Sequence, residues 1–495
     1  MSTRRSFLGR AFSASSAFFA ARGISAQVMQ MPMPAPNPAP PQTQTIRPAT
    51  QPMSFPASQT PVVTTDVGDL AYTMDGGTKV FHLVAEVLRQ KIHPDKTIDA
   101  WGFNGSAPAP TIQVTQGDHV RIIFDNHLPE PSSIHWHGFE DMVGYDGMPG
   151  ISQEPVKPGG RFVYEFDIHQ AGTYFYHSHM AMQEMLGMLG GFIMHPRTPY
   201  HPHCDKDFLL HLQEYAVLPN NTVPNTMNME YNWLLLNGKA GPASTPLIVR
   251  QGDRVRMRFV NLGMDHHPMH LHGYTFQVTG TEGGRIPQTA WWPGNTVLVG
   301  VAQARDVEII AERPGDWMLH CHLPHHMMNQ MSSNVGSMTR RPGMPAGVDM
   351  NTGMGMLQGT PGAPSGDDYG TSLGRGMGFG SNSDMETANG PLAQQKAMKA
   401  MPGMMADMAA DIAPNANAVP GFPQDAYMEG PAMAMDQMVD KPENYGLRPG
   451  WSGFMMGMMT FLRVLPPDKY EQVIARMKQA QRPNDPYASL LQRIS

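Results

Sequence analysis

The 495 residues contain two cysteines, Cys204 and Cys321. Cys321 stands in "MLHCHLPHHMMNQM" (318–331), flanked by His320 and His322, with His326 five residues on and Met331 five beyond that. Alternate side chains of a strand point to opposite faces, so in an extended His-Cys-His the imidazoles share one face and the thiol takes the other. Three further His-x-His pairs precede it: His135 and His137 in "HWHG", His177 and His179 in "HSHM", His270 and His272 in "HPMHLHG". Imidazole suits copper, zinc, iron and nickel, but a lone thiolate with two histidines and a more distant methionine narrows the choice to the trigonal His2Cys site of blue copper. That set is Cys321, His326, Met331 and His267. Zinc gains nothing from an axial methionine and eight convergent imidazoles. With a copper on the thiol side of the strand and further coppers on the imidazole side, the strand becomes a short covalent path for electrons. Such a layout suits an enzyme that takes electrons singly and delivers four to dioxygen.

The elements that must hold these residues are legible as a repeat. "VTQGDHVRIIFDN" (114–126) aligns with "VRQGDRVRMRFVN" (249–261), and nine residues after each terminal Asn comes His-x-His-Gly. "AGTYFYHSHM" (171–180) then aligns with "PGDWMLHCHL" (314–323), so that His135 matches His270, His137 matches His272, His177 matches His320 and His179 matches His322. Both copies carry the period-two alternation of strands. Ser178 stands where the second copy has Cys321, so one blue copper per chain is expected, in the second copy.

These four motifs resemble, in type, order and spacing, those of the multicopper oxidases. The resemblance covers roughly residues 65–340 and implies an all-β chain of two cupredoxin-like Greek-key β-sandwich domains. It implies type 1 copper at His267, Cys321, His326 and Met331, type 2 copper at His135 and His270, and type 3 copper at His137, His177, His179, His272, His320 and His322. That is one type 1, one type 2 and two type 3 ions per active unit. The gap from 179 to 267 has no room for a third domain, so the chain is similar to the small two-domain laccases. Members of that form are homotrimers, with clusters at the subunit interfaces. Asp146, eleven residues after His135, matches the family's acidic residue beside the type 2 copper. Copper nitrite reductase, also a two-domain trimer, carries its type 1 site in the first domain and lacks the paired type 3 histidines. The implied partners are dioxygen and a phenolic substrate or Cu(I).

The rest of the chain sets the context. Residues 1–26 resemble a twin-arginine signal, with Arg4 and Arg5 ahead of a short apolar run, and imply export to the periplasm or beyond. Residues 27–62 form a Pro/Gln-rich spacer expected to be disordered, 63–200 and 205–340 the two β domains, and 341–495 a tail rich in Met, Gly and Pro. The tail ends in a helix whose Tyr470, Val473, Ile474 and Met477 share one face. A net charge of -7 speaks against nucleic acid as a partner, and no stretch is long and apolar enough to span a membrane. Thioethers select Cu(I), so 43 methionines keep a second reading in play: a periplasmic copper-binding, sequestering protein for copper tolerance. Cys204, at the domain junction, is expected to be a buried free thiol rather than a ligand.

Overall fold

The computed structural model describes residues 59–94, 96–140, 142–217, 222–226, 231–323, 326, 434–480, 482 and 486–493. The signal, nearly all of the spacer, Met331 and most of the Met-rich segment lie outside them. The described chain is a pair of β-sandwiches. In the first, a sheet of Tyr72–Asp75, Thr78–His93, His119–Asn126 and Arg161–Asp167, with Lys96–Phe103 at one edge, faces a four-stranded sheet. Phe81, Leu83, Val120, Ile122 and Phe124 from one sheet meet Ile112, Val114, Trp136, Tyr176 and Phe192 from the other in one core. The alternation is direct: His119–Asn126 buries every second residue, as a strand with one face on a core must.

The histidines lie on one sheet of each sandwich, and those sheets are built alike. In the first, β1 (Ala109–Thr115), β2 (Ile134–His137), β3 (Gly172–Ser178) and β4 (Leu189–His195) run in the order β1-β4-β3-β2. In the second, β5 (Leu247–Arg250), β6 (His267–Leu271), β7 (Thr296–Val299), β8 (Gly315–Cys321) and β9 (Met459–Leu465) run in the order β5-β9-β8-β6-β7. β4 is parallel to β1 and antiparallel to β3. β9 is likewise parallel to β5 and antiparallel to β8. His135 sits opposite His177, and His270 opposite His320. The sequence repeat is therefore a repeat of register, residue for residue.

β9 corrects the reading of residues 341–495 as a tail. It is a central strand, buried along its whole length between β5 and β8, and without it the second sandwich would lose the middle of a sheet. Its one cation is matched in place: Arg463 donates to Asp316 (2.8 Å) and to the Glu443 and Tyr445 carbonyls, so the buried charge is paired and bonded. The helix Pro467–Ala480 then folds back with Tyr470, Val473, Ile474 and Met477 all buried in the second core. Its face is the one its spacing indicates. Among the described residues no helix is long and apolar enough to cross a membrane.

Candidate metal centres

Cys321, the last residue of β8, and His267, the first of β6, are fully buried, and His326 lies five residues beyond the cysteine. His267 Nδ1 is 3.1 Å from His326 Nδ1, and Cys321 Sγ is 3.4 Å from His326 Nδ1 and 3.7 Å from His267 Nδ1. A triangle with such edges places its centre about 2 Å from each atom, the length of a metal–imidazole bond and close to that of a metal–thiolate bond. Burial pushes the Cys321 thiol up to about 12, so a metal taken here must displace the proton. The donor set and its triangular geometry fit a blue-copper ion. Met331, assigned from spacing as the axial donor, lies outside the described residues.

The other histidines form two sets. His135, His137 and His177 offer ring nitrogens that all lie within 4.8 Å of one another, as do His270, His272 and His320. His179 stands 5.3 Å, ring to ring, from His135, and His322 stands 5.3 Å from His270. Backbone oxygens fix several tautomers. His135 donates from Nδ1 to the Asp146 carbonyl (2.7 Å), His270 to the Asn295 carbonyl (2.7 Å), His177 to the Ser178 carbonyl (3.0 Å) and His320 to the Cys321 carbonyl (2.8 Å). Each of these rings is left with Nε2 to face a ligand. Burial pushes His137 and His320 down to about 4, which keeps both neutral near pH 7 with lone pairs available. Among the described residues, no ring contact joins the first set to the second. These are two separate sets among the described residues.

Asp146 lies beside His135, with Oδ1 3.4 Å from its Nδ1. The turn that brings it there depends on Gly147: φ is +80°, and a Cβ would sit 1.7 Å from the Ile134 carbonyl oxygen. Three further carboxylates were not singled out by motif. Glu214, buried, lies 3.1 Å from His267 Nε2 and accepts from the Met264 and Asp265 amides. Asp265 lies 3.5 Å from His326 Nε2, and Glu184 lies 3.2 Å from His177 Nδ1. Such partners orient imidazoles and raise their basicity toward a metal. Glu214 lies in the strand Lys206–Tyr215, which is buried along its whole length and carries Lys206 and Asp207 as well, so charge alone did not mark it. Cys204 is buried and free, as expected, with its thiol also pushed up to about 12 by burial.

In the first sandwich the positions matching His267, Cys321 and His326 are Ser132, Ser178 and Gln183. All three are buried. Gln183 Oε1 accepts from Ser132 Oγ (2.8 Å) and Ser178 Oγ (2.7 Å), and Gln183 donates to the Pro131 carbonyl (2.9 Å). A closed hydrogen-bonded trio with no thiolate fills this place.

Comparison with known proteins agrees with the geometry. One multicopper oxidase family model matches residues 86–199 and a second matches residues 215–339. The chain belongs to the multicopper oxidase family. It is 26% identical over 299 residues to a copper resistance protein A homolog of Pseudomonas syringae pv. tomato, covering 50% of this chain and 49% of that protein. It is 30% identical over 266 residues to laccase-2 of Botryotinia fuckeliana, covering 49% and 44%. The crystal structure of a blue copper oxidase from Nitrosomonas europaea is 30% identical, covering 51% of this chain and 81% of that one, with a TM-score of 0.48. The chain spans about half the length of the curated relatives it matches. The family's sandwiches are cupredoxin-like and its cofactor is copper.

Proposed function

We propose that the protein is an exported oxidase that takes electrons one at a time from a phenol or from Cu(I) and passes four of them to dioxygen, which with four protons becomes two waters. The observation that carries this reading is the placement of Cys321. Its thiol converges with His267 and His326 on one side of β8, and the adjacent His320 and His322 belong to a second centre. Bound at these donors, copper supplies one-electron redox chemistry: one type 1 ion at the thiolate, and one type 2 and two type 3 ions at the imidazoles.

The chain's own groups have distinct tasks in this reading. Cys321 and its neighbours form the shortest covalent route between the two centres. Among the described residues, the Asp265 carboxylate beside His326 is partly exposed and meets the approaching reductant. Asp146, also partly exposed, holds a proton at its carboxyl oxygen beside His135 and passes it toward the reduced oxygen. The trinuclear centre is completed between copies: His135, His137, His177 and His179 of one chain meet His270, His272, His320 and His322 of the next, and three chains closed in a ring supply three such sites. The separation of the two sets within one chain supports this. The domain limits 63–200 and 205–340, and export by the twin-arginine route, belong to the same proposal.

Oxygen uptake by the purified, copper-loaded protein tests it, with a methoxyphenol and Cu(I) offered separately. Uptake with either supports the oxidase and identifies its reductant. No uptake with either, from a blue protein, refutes it.

A further inference from the structure

The internal repeat marks the axial position of the thiolate site through the backbone bonds that hold it. In the first sandwich, Met188 is the tenth residue after Ser178, the same interval that separates Met331 from Cys321. Met188 is tied to the site by two backbone bonds: Ser178 N–H donates to the Met188 carbonyl (3.0 Å), and Met188 N–H donates to the Gln183 carbonyl (3.3 Å). In the second sandwich the residue so tied is Met458. Cys321 N–H donates to the Met458 carbonyl (3.0 Å), and Met458 N–H donates to the His326 carbonyl (2.8 Å).

The surroundings repeat as well. Leu189 pairs with His177, and Met459 with His320, so Met188 and Met458 occupy one register position ahead of matching strands. Gly187 and Gly457 precede them, both at positive φ. Met188 and Met458 are each 0% exposed, and Met458 shares a core cluster with Cys321. A backbone fixed at both its N–H and its C=O leaves little freedom in where the residue sits.

We propose that Met458, and not Met331, is the axial thioether of the blue-copper site; this rests on the reading of Cys321, His267 and His326 as that site. The chain leaves the site at His326 and returns to it at Met458. Residues 327–457 are then an insertion between two ligands, not the beginning of a tail. The ten-residue spacing of Met331 is coincidental in a segment dense in methionine.

The test compares the copper-loaded full chain with Met458→Leu, Met458→Gln and Met331→Leu, reading the reduction potential and the electron paramagnetic resonance of the blue copper. An axial thioether sets the potential of such a site. Met458→Leu is expected to raise the potential, Met458→Gln to lower it and alter the resonance, and Met331→Leu to change neither. Opposite shifts from Leu and Gln separate a lost ligand from altered packing, which moves both variants the same way. Unchanged potentials in both Met458 variants, same-direction shifts in them, or a shift in Met331→Leu overturns the assignment. Absence of any blue band in the wild-type protein removes the parent reading and this one with it. An intact blue band in all chains, with potentials tracking residue 331, removes this one alone. Circular dichroism of each variant confirms that it folds.

Discussion

Glu214 offers the sharpest energetic test of how the thiolate site is held. Its carboxylate is buried, and three donors converge on it: the Met264 and Asp265 amides and His267 Nε2. Glu214→Ala leaves all three donors, the buried His267 ring and the two partly buried amides, without that partner. A buried donor left unpaired costs about 1 to 3 kcal/mol, so three would cost about 3 to 9 kcal/mol; the two amides are only partly buried, which brings the expected loss to about 3 to 6 kcal/mol of folding stability. Glu214→Gln keeps one acceptor oxygen but turns an amide N–H toward one of the donors, and should lose about 1 to 3 kcal/mol. The site is close-fitted: a Cβ at Gly263 would stand 2.1 Å from Glu214 Oε2, so the main chain approaches the carboxylate where only glycine allows. Chemical denaturation of the copper-free chain measures both losses. With copper bound, both variants should also shift the potential upward, because a negative charge near the metal is removed. A loss below about 1 kcal/mol in Glu214→Ala, within the range of an ordinary exposed substitution, would refute the argument that this carboxylate anchors His267.

Other expectations follow from single residues. His211 is fully buried and its pKa is pushed down to about 4 by burial. The unfolded chain therefore binds this proton below about 6.5 while the folded chain does not, so the stability it contributes is complete above that pH. It is lost as pH falls toward 4, by up to about 3 kcal/mol. Denaturation curves at pH 4.5 and 7 should differ less in His211→Gln than in the wild type; an equal difference would contradict this. Gly147→Ala places a Cβ against the Ile134 carbonyl and should push the Asp146 turn away from His135, cutting oxygen consumption at least tenfold while the blue band persists; unchanged turnover would show that the turn is not needed. A chain ending at residue 340 lacks β9 and should fail to give a cooperative unfolding transition for the second sandwich; a cooperative transition of wild-type size would argue against β9 as a central strand.

The metal chemistry was legible in the sequence because ligand type and strand period carry it locally. His320, Cys321 and His322 are consecutive, and the repeat 114–126 against 249–261 aligns both copies without reference to structure. The helical face of Tyr470, Val473, Ile474 and Met477 was legible for the same reason. β9 was not, because its approach "FMMGMMTFLRVL" reads as one more methionine cluster and its partners β5 and β8 lie far back along the chain. Glu214, Asp265 and Glu184 escaped for a related reason. Each meets its histidine only through tertiary approach, and a single acidic residue has no period to announce it. Ser132 and Gln183 could have been found by extending the alignment, since Ser132 precedes His135 by the three residues that separate His267 from His270, and Gln183 follows Ser178 by the five that separate His326 from Cys321.

The central claim is that electrons pass through the Cys321 thiolate, and Cys321→Ser tests it most directly. Measured on copper-loaded protein, the variant should hold one fewer copper per chain, lose the blue band and lose oxygen uptake with either reductant, while the imidazole sites remain filled. Oxygen uptake at the wild-type rate from a colourless Cys321→Ser protein would contradict the account.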